Sequence, residues 1–413
     1  MVGVRREALR LNARADGNIT CVDLGDLGLD RGGHLLVKHA LAAVTIGAVV
    51  EIKGSDPHLQ LHLQGWARQQ GLGFEPTPTG ARLTRSAALL GRWNQAERAG
   101  FAESSRVGAV VEKPPARGGL AARGAAVEAG DLQFHFPLDR KEVVWADRIS
   151  ELYAQAVAAQ WDPATAIDWT TPFELPDEIE TAVVQVMTYL IENETVALLV
   201  PARFLARVHP HFREVLQLLA VQTADEARHI EVFTRRATLK RSQLGLSTQG
   251  GQASLKTLLD EPDFALAFFL LSVLGEGTFL VLLRFLHEHA PDPVTARVAE
   301  LAAQDEARHV AFALGHLRRH LAHEPGLVSR LKESVRSRHQ ALREMSGLNE
   351  EVFDALVLVA AQKLEPAAIA KGFDAVIQLT RQMDVVRRQV LETLGFSGTD
   401  AEELSALHTR NFM

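Results

Sequence analysis

The sequence predicts a mainly helical protein, in which a four-helix bundle with extra C-terminal helices follows a small N-terminal α/β sandwich. The pentapeptide DEARH occurs twice within long helical patterns, at Asp225–His229 and Asp305–His309. An apolar helical stretch interrupted by a carboxylate precedes each copy. Residues 20–85 instead alternate between strand-like and helix-like patterns. We therefore expect an α/β domain at 1–90, a linker and connecting segment at 91–145, the bundle at 146–323, and further helices packed on it at 324–413.

Composition excludes several classes of protein. The 413 residues carry a net charge of -7 and 23% charged residues, which favours neither disorder nor nucleic-acid binding. The single cysteine excludes an intramolecular disulfide and a multi-cysteine metal site. Met1–Arg10 is charged and lacks the apolar core of a signal peptide, and the apolar run Phe264–Gly275 is too short to span a bilayer. We expect a cytoplasmic protein that does not bind membranes.

The N-terminal elements follow from strand and helix signals in order. The patterns predict two strands and two helices followed by further strands: Ile19–Leu24, a helix over Gly33–Val44, Ala48–Lys53, a helix capped by Ser55-Asp56-Pro57, and strands after Gly71. Ser104–Asp131 is rich in Gly, Ala, Arg and Pro and is the natural linker to the helical part.

Each DEARH copy places a Glu and a His three residues apart, and such a pair projects from one face of an α-helix. Glu226 with His229 and Glu306 with His309 can thus face one metal site. A dinuclear carboxylate site in a four-helix bundle also requires one Glu from each of two further helices.

The apolar stretches upstream supply candidates for these carboxylates. Glu276 is the only acid within Asp263–Leu286 beyond Asp263 itself. In Glu180–Val208 both Glu192 and Glu194 qualify, and Glu194 is favoured because apolar residues surround it at helical spacing. Each partner lies 30 or 32 residues from its motif, with helix turns expected near His209-Pro210 and Pro291–Pro293, so the two members of each pair meet at one height. Ser242–Gln252 is the expected crossover between the two hairpins, and a short helix to Asp260 follows it.

Gly275 and Gly277 flank Glu276, although glycine costs about 1 kcal/mol relative to alanine inside a helix. Two explanations are open: close approach of another helix, or space beside the metals together with a distorted backbone. Pro201 is expected to kink the first bundle helix close to Glu194.

A buried salt-bridge network without metal is the alternative interpretation of this cluster. Four carboxylates packed together would repel one another and lose solvation, whereas two divalent cations neutralise them. A set of carboxylates and imidazoles without thiolate suits iron or manganese and leaves positions open for a small molecule. Oxygen activation is therefore the leading chemistry.

These residues resemble the ferritin-like di-metal carboxylate superfamily, which includes ribonucleotide reductase small subunits, multicomponent monooxygenases, ligand-binding oxidases and arylamine N-oxygenases. The resemblance covers roughly Arg148–His320. It implies two Fe, with Mn possible in either position, O₂, and an external electron donor such as a reductase or ferredoxin. It also implies that Asp225 pairs with His309 and Asp305 with His229, with Arg228 and Arg308 as ionic partners. The implied metal ligands are Glu194, Glu226, His229, Glu276, Glu306 and His309.

The sequence also indicates which reaction such a metal site would perform. Small subunits of ribonucleotide reductase generally carry a radical Tyr four residues after the first His, where this chain has Phe233. We therefore expect an oxygenase of a small, possibly carrier-bound, organic substrate, with N-, S- and C-oxidation all open. An iron-oxidising or metal-handling protein and a non-catalytic scaffold are the alternatives. The candidate pocket residues are Thr223, Gly277, Ala303, Phe233 and Ala197.

Two flanking regions complete the expectations. The N-terminal segment resembles the TusA-like sulfur-carrier fold, but Asp30-Arg31-Gly32-Gly33 stands where that family has its Cys-Pro-x-Pro carrier segment. Without the thiol it is expected to dock partners, dimerise or present substrate. The basic helix over Glu324–Met345 has a solvated face as its first interpretation and a dock for an acidic reductase or carrier as its second. We expect a homodimer.

Overall fold

The computed structural model of the protein describes residues 19–88, 93, 95–343 and 350–412, with side chains as far as His408. Met1–Arg10, on which the expected lack of a signal peptide rests, lies outside these residues. The chain divides into two compact units. One comprises the chain up to Arg98 together with Ala126–Leu132, and the other comprises Ala99–Ala125 together with the chain from Gln133 onward.

The first unit is a two-layer α/β structure, as predicted. Its main sheet contains β1 (Thr20–Asp23), β2 (Val49–Lys53), β3 (Gly73–Thr77) and β4 (Gly80–Thr84) in the order β1-β2-β4-β3, with β1 parallel to β2 and the other pairs antiparallel. Helices α1 (Gly33–Ala43) and α2 (Leu59–Gln69) bury Val37, Leu41 and Leu63 in its core. A second sheet pairs β5 (Glu97–Arg98) with β6 (Ala126–Val127).

Two local details differ from the expected caps and turns. Helix α2 begins at Leu59, and its N-cap is His58 rather than Ser55-Asp56-Pro57. The Asp56 carboxylate instead accepts a hydrogen bond of 2.8 Å from the His58 backbone N–H, which forms a turn ahead of the helix. In the segment that replaces the carrier motif, Gly32 has φ 105°, a conformation that favours glycine.

Residues 99–125 belong to the helical unit and not to a free linker, which corrects the interpretation of Ser104–Asp131. The reason is a buried ion pair: Arg123 donates to both carboxylate oxygens of Glu214, at 2.6 and 2.7 Å. The backbone N–H of Val111 also donates to His211 at 3.0 Å. A segment rich in glycine and proline is thus fixed to the bundle by polar side chains, a feature that composition does not reveal.

The bundle consists of two helical hairpins joined by a crossover. After α3 (Ile149–Ala158), the first hairpin pairs α4 (Asp177–Leu205) with α5 (Arg213–Ala237). The crossover leads through α6 (Gln249–Asp260) to the third bundle helix, which runs over Phe264–His289 as α7 (Phe264–Phe268), a π-helical segment (Phe269–Glu276) and α8 (Gly277–His289). Helix α9 (Pro293–His323) completes the second hairpin. The predicted mainly helical fold is confirmed.

The two hairpins turn near His209-Pro210 and near Pro291–Pro293, as predicted. Asp263 and Asp292 cap the third and fourth bundle helices by accepting backbone hydrogen bonds from Leu266 and Thr295. Helix α4 continues through Pro201 for four further residues to Leu205. The fully buried Arg236 of α5 bonds Glu180 of α4 and Asp292 before α9, which ties three bundle helices together at one end.

Two helices of the bundle are long and apolar enough to cross a membrane by length and composition. They are Asp177–Leu205 and Phe264–His289, and 61% and 78% of their most apolar windows are buried inside the protein. Both carry a buried carboxylate, Glu194 and Glu276 respectively. Their apolar surface is therefore used in the core of the bundle.

Within the described residues four more helices follow the bundle: α10 (Leu327–Leu342), α11 (Glu350–Ala361), α12 (Pro366–Thr393) and α13 (Gly398–Phe412). The basic side chains of α10 are paired within the chain, and this argues against a basic docking face there. Lys332 and Arg336 bind Asp400 and Glu403 of α13. Arg330 binds Asp263 and Glu324, and Arg338 is buried. The charges mainly join helices to one another.

Candidate metal centre

The four bundle helices bring all six predicted ligands together in the interior. None of them is more than 5% exposed, and they are Glu194 on α4, Glu226 and His229 on α5, Glu276 at the end of the π-helical segment, and Glu306 and His309 on α9. Glu192, the alternative to Glu194, is only half-buried and lines a groove between α4 and α6. Glu194, and not Glu192, therefore lies beside the other predicted ligands.

The six side chains form two overlapping groups of four. One group contains Glu194, Glu226, His229 and Glu306, and the other contains Glu226, Glu276, Glu306 and His309. Within each group the potential ligand atoms lie within 4.8 Å of one another. Glu226 and Glu306 belong to both groups and thus lie between two adjacent cation positions, while the other four residues each serve one position.

One Glu from each of two helices, with a Glu-x-x-His pair from each of the other two, is the arrangement of ferritin-like di-metal carboxylate proteins. The bundle is ferritin-like.

The spacing around each imidazole suits a metal ion. His229 Nδ1 lies 3.2 Å from Glu226 Oε2, 3.2 Å from Glu306 Oε1 and 3.6 Å from Glu194 Oε2. His309 Nδ1 lies 3.0 and 3.2 Å from oxygens of Glu226 and Glu306. A single N–H cannot serve several acceptors at once, whereas neighbouring ligands of an octahedral ion bound at about 2.1 Å stand about 3 Å apart. The residues present therefore fit metal binding.

Unsatisfied carboxylate oxygens support the same conclusion. Glu194 Oε1 and Glu276 Oε2 are buried and accept no hydrogen bond. Buried polar atoms are normally hydrogen-bonded, because an unpaired one costs about 1–3 kcal/mol. Two cations in the ferritin-like centre would satisfy these oxygens without any rearrangement of the helices.

The pKa shifts of these side chains show how the carboxylates and the imidazoles of the centre offset one another's charge. Burial, together with the charges of Glu226 and Glu306, raises the pKa of Glu194 well above its ordinary value. Burial and the charge of Glu306 likewise raise the pKa of Glu276. Burial also acts on Glu226, but the charge of His309 and bonds from both imidazoles outweigh it and lower the pKa of this carboxyl. Burial also disfavours the charged form of each imidazole. The surrounding carboxylates outweigh this effect and raise the pKa of His229 and of His309 well above the usual range.

The outer nitrogen of each imidazole faces the Asp of the opposite motif. His229 Nε2 lies 3.1 Å from Asp305 Oδ2, and His309 Nε2 lies 3.3 Å from Asp225 Oδ2. With Nδ1 directed at the centre, the Nε2 proton is donated to the Asp, which fixes the tautomer and the ring orientation of a metal-binding histidine. This is the cross-pairing that the family resemblance implies.

Two residues support these Asp side chains, although the sequence indicated only that the segment containing Trp161 packs across the bundle and did not indicate Gln160. Trp161 Nε1 donates to Asp305 Oδ2 at 2.8 Å, and Gln160 Nε2 donates to Asp225 Oδ1 at 2.8 Å. Arg228 donates to both Asp residues and stacks over the Trp161 ring at 4.6 Å. Arg308 bonds Asp305. The position of Trp161 shortly before the bundle was the available signal.

The backbone next to Glu276 is distorted. The third bundle helix is π-helical over Phe269–Glu276, so it has the distorted backbone that was one of the two explanations for the glycines. A Cβ on Gly275 would meet only Leu270 O at 3.4 Å, and one on Gly277 only Ser272 O at 3.7 Å. Both atoms belong to the same helix, so close approach of another helix does not explain the glycines. Space and backbone distortion explain them, and π-helical turns often occur at functional sites.

A mainly apolar cavity adjoins the centre. Glu194, Glu276 and Glu306 line it together with Gly275, and its volume is about 60 Å³, several times the roughly 10–15 Å³ that one water needs. Ala197 lines it as predicted, whereas Thr223, Gly277, Ala303 and Phe233 do not. Phe233 is fully buried in the hydrophobic core, and the Thr223 hydroxyl bonds Leu219 O of its own helix.

The C-terminal helices add polar groups to this cavity, and sequence reasoning missed them. Arg338 of α10, Arg387 of α12 and His408 of α13 line it, with Tyr189 and Asn193 of α4. Tyr189 stacks on Phe279 at 5.8 Å, and burial raises the pKa of its hydroxyl to about 12. A signal was available, because Arg338 and Arg387 occupy the apolar stripes of their helices.

Comparison with known proteins gives structural likenesses alone. No protein-family model and no curated protein sequence matches the chain. A point mutant of an R2-like ligand-binding oxidase with an aerobically reconstituted Mn/Fe cofactor is 17% identical, with TM-score 0.41, over 65% of this chain and 95% of the other. The R2-like ligand-binding oxidase from Sulfolobus acidocaldarius is 15% identical, with TM-score 0.42, over 62% and 93%.

A protein from Synechococcus with aldehyde deformylating oxidase activity is 18% identical, with TM-score 0.39, over 58% of this chain and 98% of the other. The helices and side chains of this chain form the ferritin-like arrangement by themselves.

Proposed function

We propose that this protein is an O₂-activating oxidoreductase with two Fe, or with Fe and Mn, and that it is an oxygenase of a small organic substrate. The observation that carries the proposal is the position of the six-residue centre, which opens directly onto the apolar cavity through Glu194, Glu276 and Glu306. A metal pair held there supplies the activation of O₂ and the oxidation of a bound molecule.

The residues of the chain have three tasks in this function. Glu226 and Glu306 would hold both metal ions, and each of the other four ligands would hold one. Asp225 and Asp305 orient the imidazoles and keep their outer protons in place. The leucine, phenylalanine and valine side chains of the cavity exclude water and so limit side reactions of the oxidising centre. Electrons come from an external reductase or ferredoxin in the cytoplasm.

The cavity favours an oxygenase over an iron-storage protein. Iron ions that enter a storage protein need a polar route. The wall of this cavity instead includes the apolar side chains of Leu270, Leu271, Phe279, Leu282 and Met383. An apolar enclosure with a few polar groups is the usual form of a site for an organic molecule. Oxidation of the chain itself is less favoured, because Phe233 and Ala313 occupy the positions four residues after the two histidines.

Metal analysis tests the centre. We expect about two Fe or Mn per chain, the number of sites in a dinuclear bundle, and near-complete loss in a Glu226→Ala, His229→Ala double variant. The control is a double variant of the exposed neighbours His287 and Glu288 on α8, which should retain the metal. Retention of full metal after loss of Glu226 and His229 would show that the site is elsewhere.

Iron oxidation separates oxygenase from storage protein. After anaerobic loading and exposure to O₂ without reductant, an oxygenase should oxidise only the two Fe(II) bound per chain, the capacity of one dinuclear site. Continued oxidation of added Fe(II) far beyond that number, with ferric mineral formation, would favour storage.

The N-terminal unit is proposed to dock a partner or a second copy. Measurements of molecular size, made on the full chain alone and on the full chain with reductase, can examine this.

A further inference from the structure

One buried amide lies beside the proposed metal centre without belonging to its ligands. Gln222 of α5 is 1% exposed, and the apolar side chains of Leu218 and Leu219 precede it on the buried stripe of this helix. It does not line the cavity, so contact with a substrate does not account for it. A glutamine side chain is rarely fully buried, because it loses the hydrogen bonds of water there. Its position therefore requires a specific partner.

That partner is the carboxylate of Glu276. Gln222 Nε2 donates to Glu276 Oε1 at 3.4 Å, and among the described residues this is the one hydrogen bond that the amide makes. Gln222 Oε1 is buried and accepts no hydrogen bond from them, and the same holds for Glu276 Oε2. The amide thus bonds one oxygen of the carboxylate and leaves the other for a cation.

The spacing along α5 explains how the amide reaches this carboxylate. Gln222 lies four residues before the ligand Glu226, which is about one helical turn, so both side chains project from the same face of the helix. Glu276 stands at the end of the π-helical segment of the third bundle helix. Gln222 therefore supports, from the facing helix, the one ligand whose own backbone is distorted.

The other half of the centre has no such amide. Four residues before Glu306, the second DEARH helix carries Ala302, which is buried and has no hydrogen-bonding side chain. Glu194 corresponds to Glu276 in this half. Its Oε1 accepts no hydrogen bond from the described residues, and its Oε2 lies 3.6 Å from His229 Nδ1. The duplicated motif thus has amide support on one side only.

We propose that Gln222 is a positioning residue that holds Glu276 for the metal position it shares with His309, and that Gln222 has no such effect on the position served by Glu194 and His229. Groups that bond a metal-binding carboxylate orient the ligand, and their loss typically lowers metal affinity about 10- to 100-fold. The inference rests on the proposed function, since it concerns the same centre. It adds a difference between two positions whose ligand sets are otherwise matched.

Mn²⁺ titration of the full chain distinguishes the two positions. Glu194→Gln should leave the position of Glu276, and Glu276→Gln should leave that of Glu194. Gln222→Met, added to each, removes the amide donor and nearly keeps the side-chain volume. With Glu194→Gln we expect the Mn²⁺ affinity to fall about 10- to 100-fold, and with Glu276→Gln we expect it to stay unchanged. Paramagnetic resonance of the free ion measures both affinities.

Further variants separate positioning from a general disturbance of α5. Gln222→His keeps an N–H donor and should retain more Mn²⁺ affinity than Gln222→Met. Gln217→Met is the matched control, because Gln217 is an exposed glutamine of the same helix, and it should bind Mn²⁺ as the unaltered chain does. Gln222→Asn keeps an amide that is one methylene too short to reach Glu276. It gives the same comparison where Gln222→Met fails to fold.

Equal loss of Mn²⁺ affinity in both backgrounds, or unchanged affinity in both, would overturn the inference. A Gln222→His variant that binds as weakly as Gln222→Met would also contradict it. The unaltered chain distinguishes this failure from failure of the proposed function. Two bound ions that are insensitive to Gln222 contradict the positioning role alone, whereas absence of metal from the unaltered chain contradicts the proposed function as well.

Discussion

The two hairpins of the bundle contain the same pentapeptide but support it differently. In the first, Glu194 lies on the regular helix α4, which continues through Pro201. In the second, Glu276 ends a π-helical segment and has glycine on both sides. The supports of the two Asp side chains also differ, since Asp225 accepts from the Gln160 amide and Asp305 from the Trp161 indole.

The difference teaches that the motif determines the type of ligand, whereas the surrounding helices determine its role. Each motif supplies one shared carboxylate and one imidazole for a single position. The partner helices supply Glu194 and Glu276, which each serve one position and also face the cavity. The distorted backbone is confined to the second half, where Gly275 contributes to the cavity wall.

Shared and unshared carboxylates predict the largest difference between variants. Glu226→Gln and Glu306→Gln remove a ligand from both positions, and we expect bound metal to fall from about two ions per chain to near zero. Glu194→Gln and Glu276→Gln each affect one position and should leave about one ion. Metal analysis after dialysis against a weak chelator measures the stoichiometry.

Glutamine retains the shape of glutamate, so these four variants differ mainly in charge. Circular dichroism checks that each metal-free variant keeps its helices. Equal metal loss in all four would contradict the division into shared and unshared ligands. Loss confined to variants of one hairpin would instead show that only one half of the centre binds metal.

The metal-free centre predicts a smaller effect, which depends on pH. The pKa values of Glu194 and Glu276 are raised by burial, and surrounding carboxylates raise those of His229 and His309 despite burial. A group whose pKa is higher in the folded than in the unfolded state contributes stability at low pH that is lost as pH rises. For the imidazoles, this contribution is complete below about pH 6.5 and is lost through their higher folded pKa.

The metal-free thermal midpoint should therefore fall from pH 6 to pH 9, while bound Mn²⁺ should raise the midpoint more at pH 8 than at pH 6, because metal displaces these protons. Calorimetry at each pH measures both. The Glu194→Gln, Glu276→Gln double variant cannot ionise at these positions, so its metal-free midpoint should depend less on pH. A midpoint that rises with pH in the unaltered metal-free chain would contradict this charge balance.

The sequence was sufficient, for a physical reason, to predict the helical fold and the six side chains that lie together at the centre of the bundle. A carboxylate inside an apolar helix is costly without a partner, so Glu276 was recognisable from its neighbours alone. Helical spacing and hairpin length then brought Glu194 and Glu276 level with the two motifs. Short-range patterns contain this information directly.

Features that depend on packing between distant segments were not predictable in the same way. The cavity wall combines residues of α4, the third bundle helix and the C-terminal helices. Thr223, Gly277, Ala303 and Phe233 therefore do not line it, and Arg338 and Arg387, which the sequence did not indicate, do. The π-helical segment was suggested only as backbone distortion beside the two glycines. Arg123 was assigned to a linker, because its partner Glu214 lies 91 residues away.

The two glycines predict the smallest effect and test the distorted half directly. Gly277 does not line the cavity, and a Cβ there has ordinary contact with Ser272 O at 3.7 Å. Gly277→Ala should therefore raise the free energy of unfolding by about 0.4–1 kcal/mol, because alanine restricts the unfolded chain. Gly275 lines the cavity, and its Cβ would lie 3.4 Å from Leu270 O. Gly275→Ala should instead bring little gain in stability, since the added methyl group lies closer to this oxygen and occupies space in the cavity wall that the glycine leaves open. Thermal and denaturant unfolding of both variants measures these effects, and an equal gain in stability in the two would show that the cavity does not distinguish the two glycines.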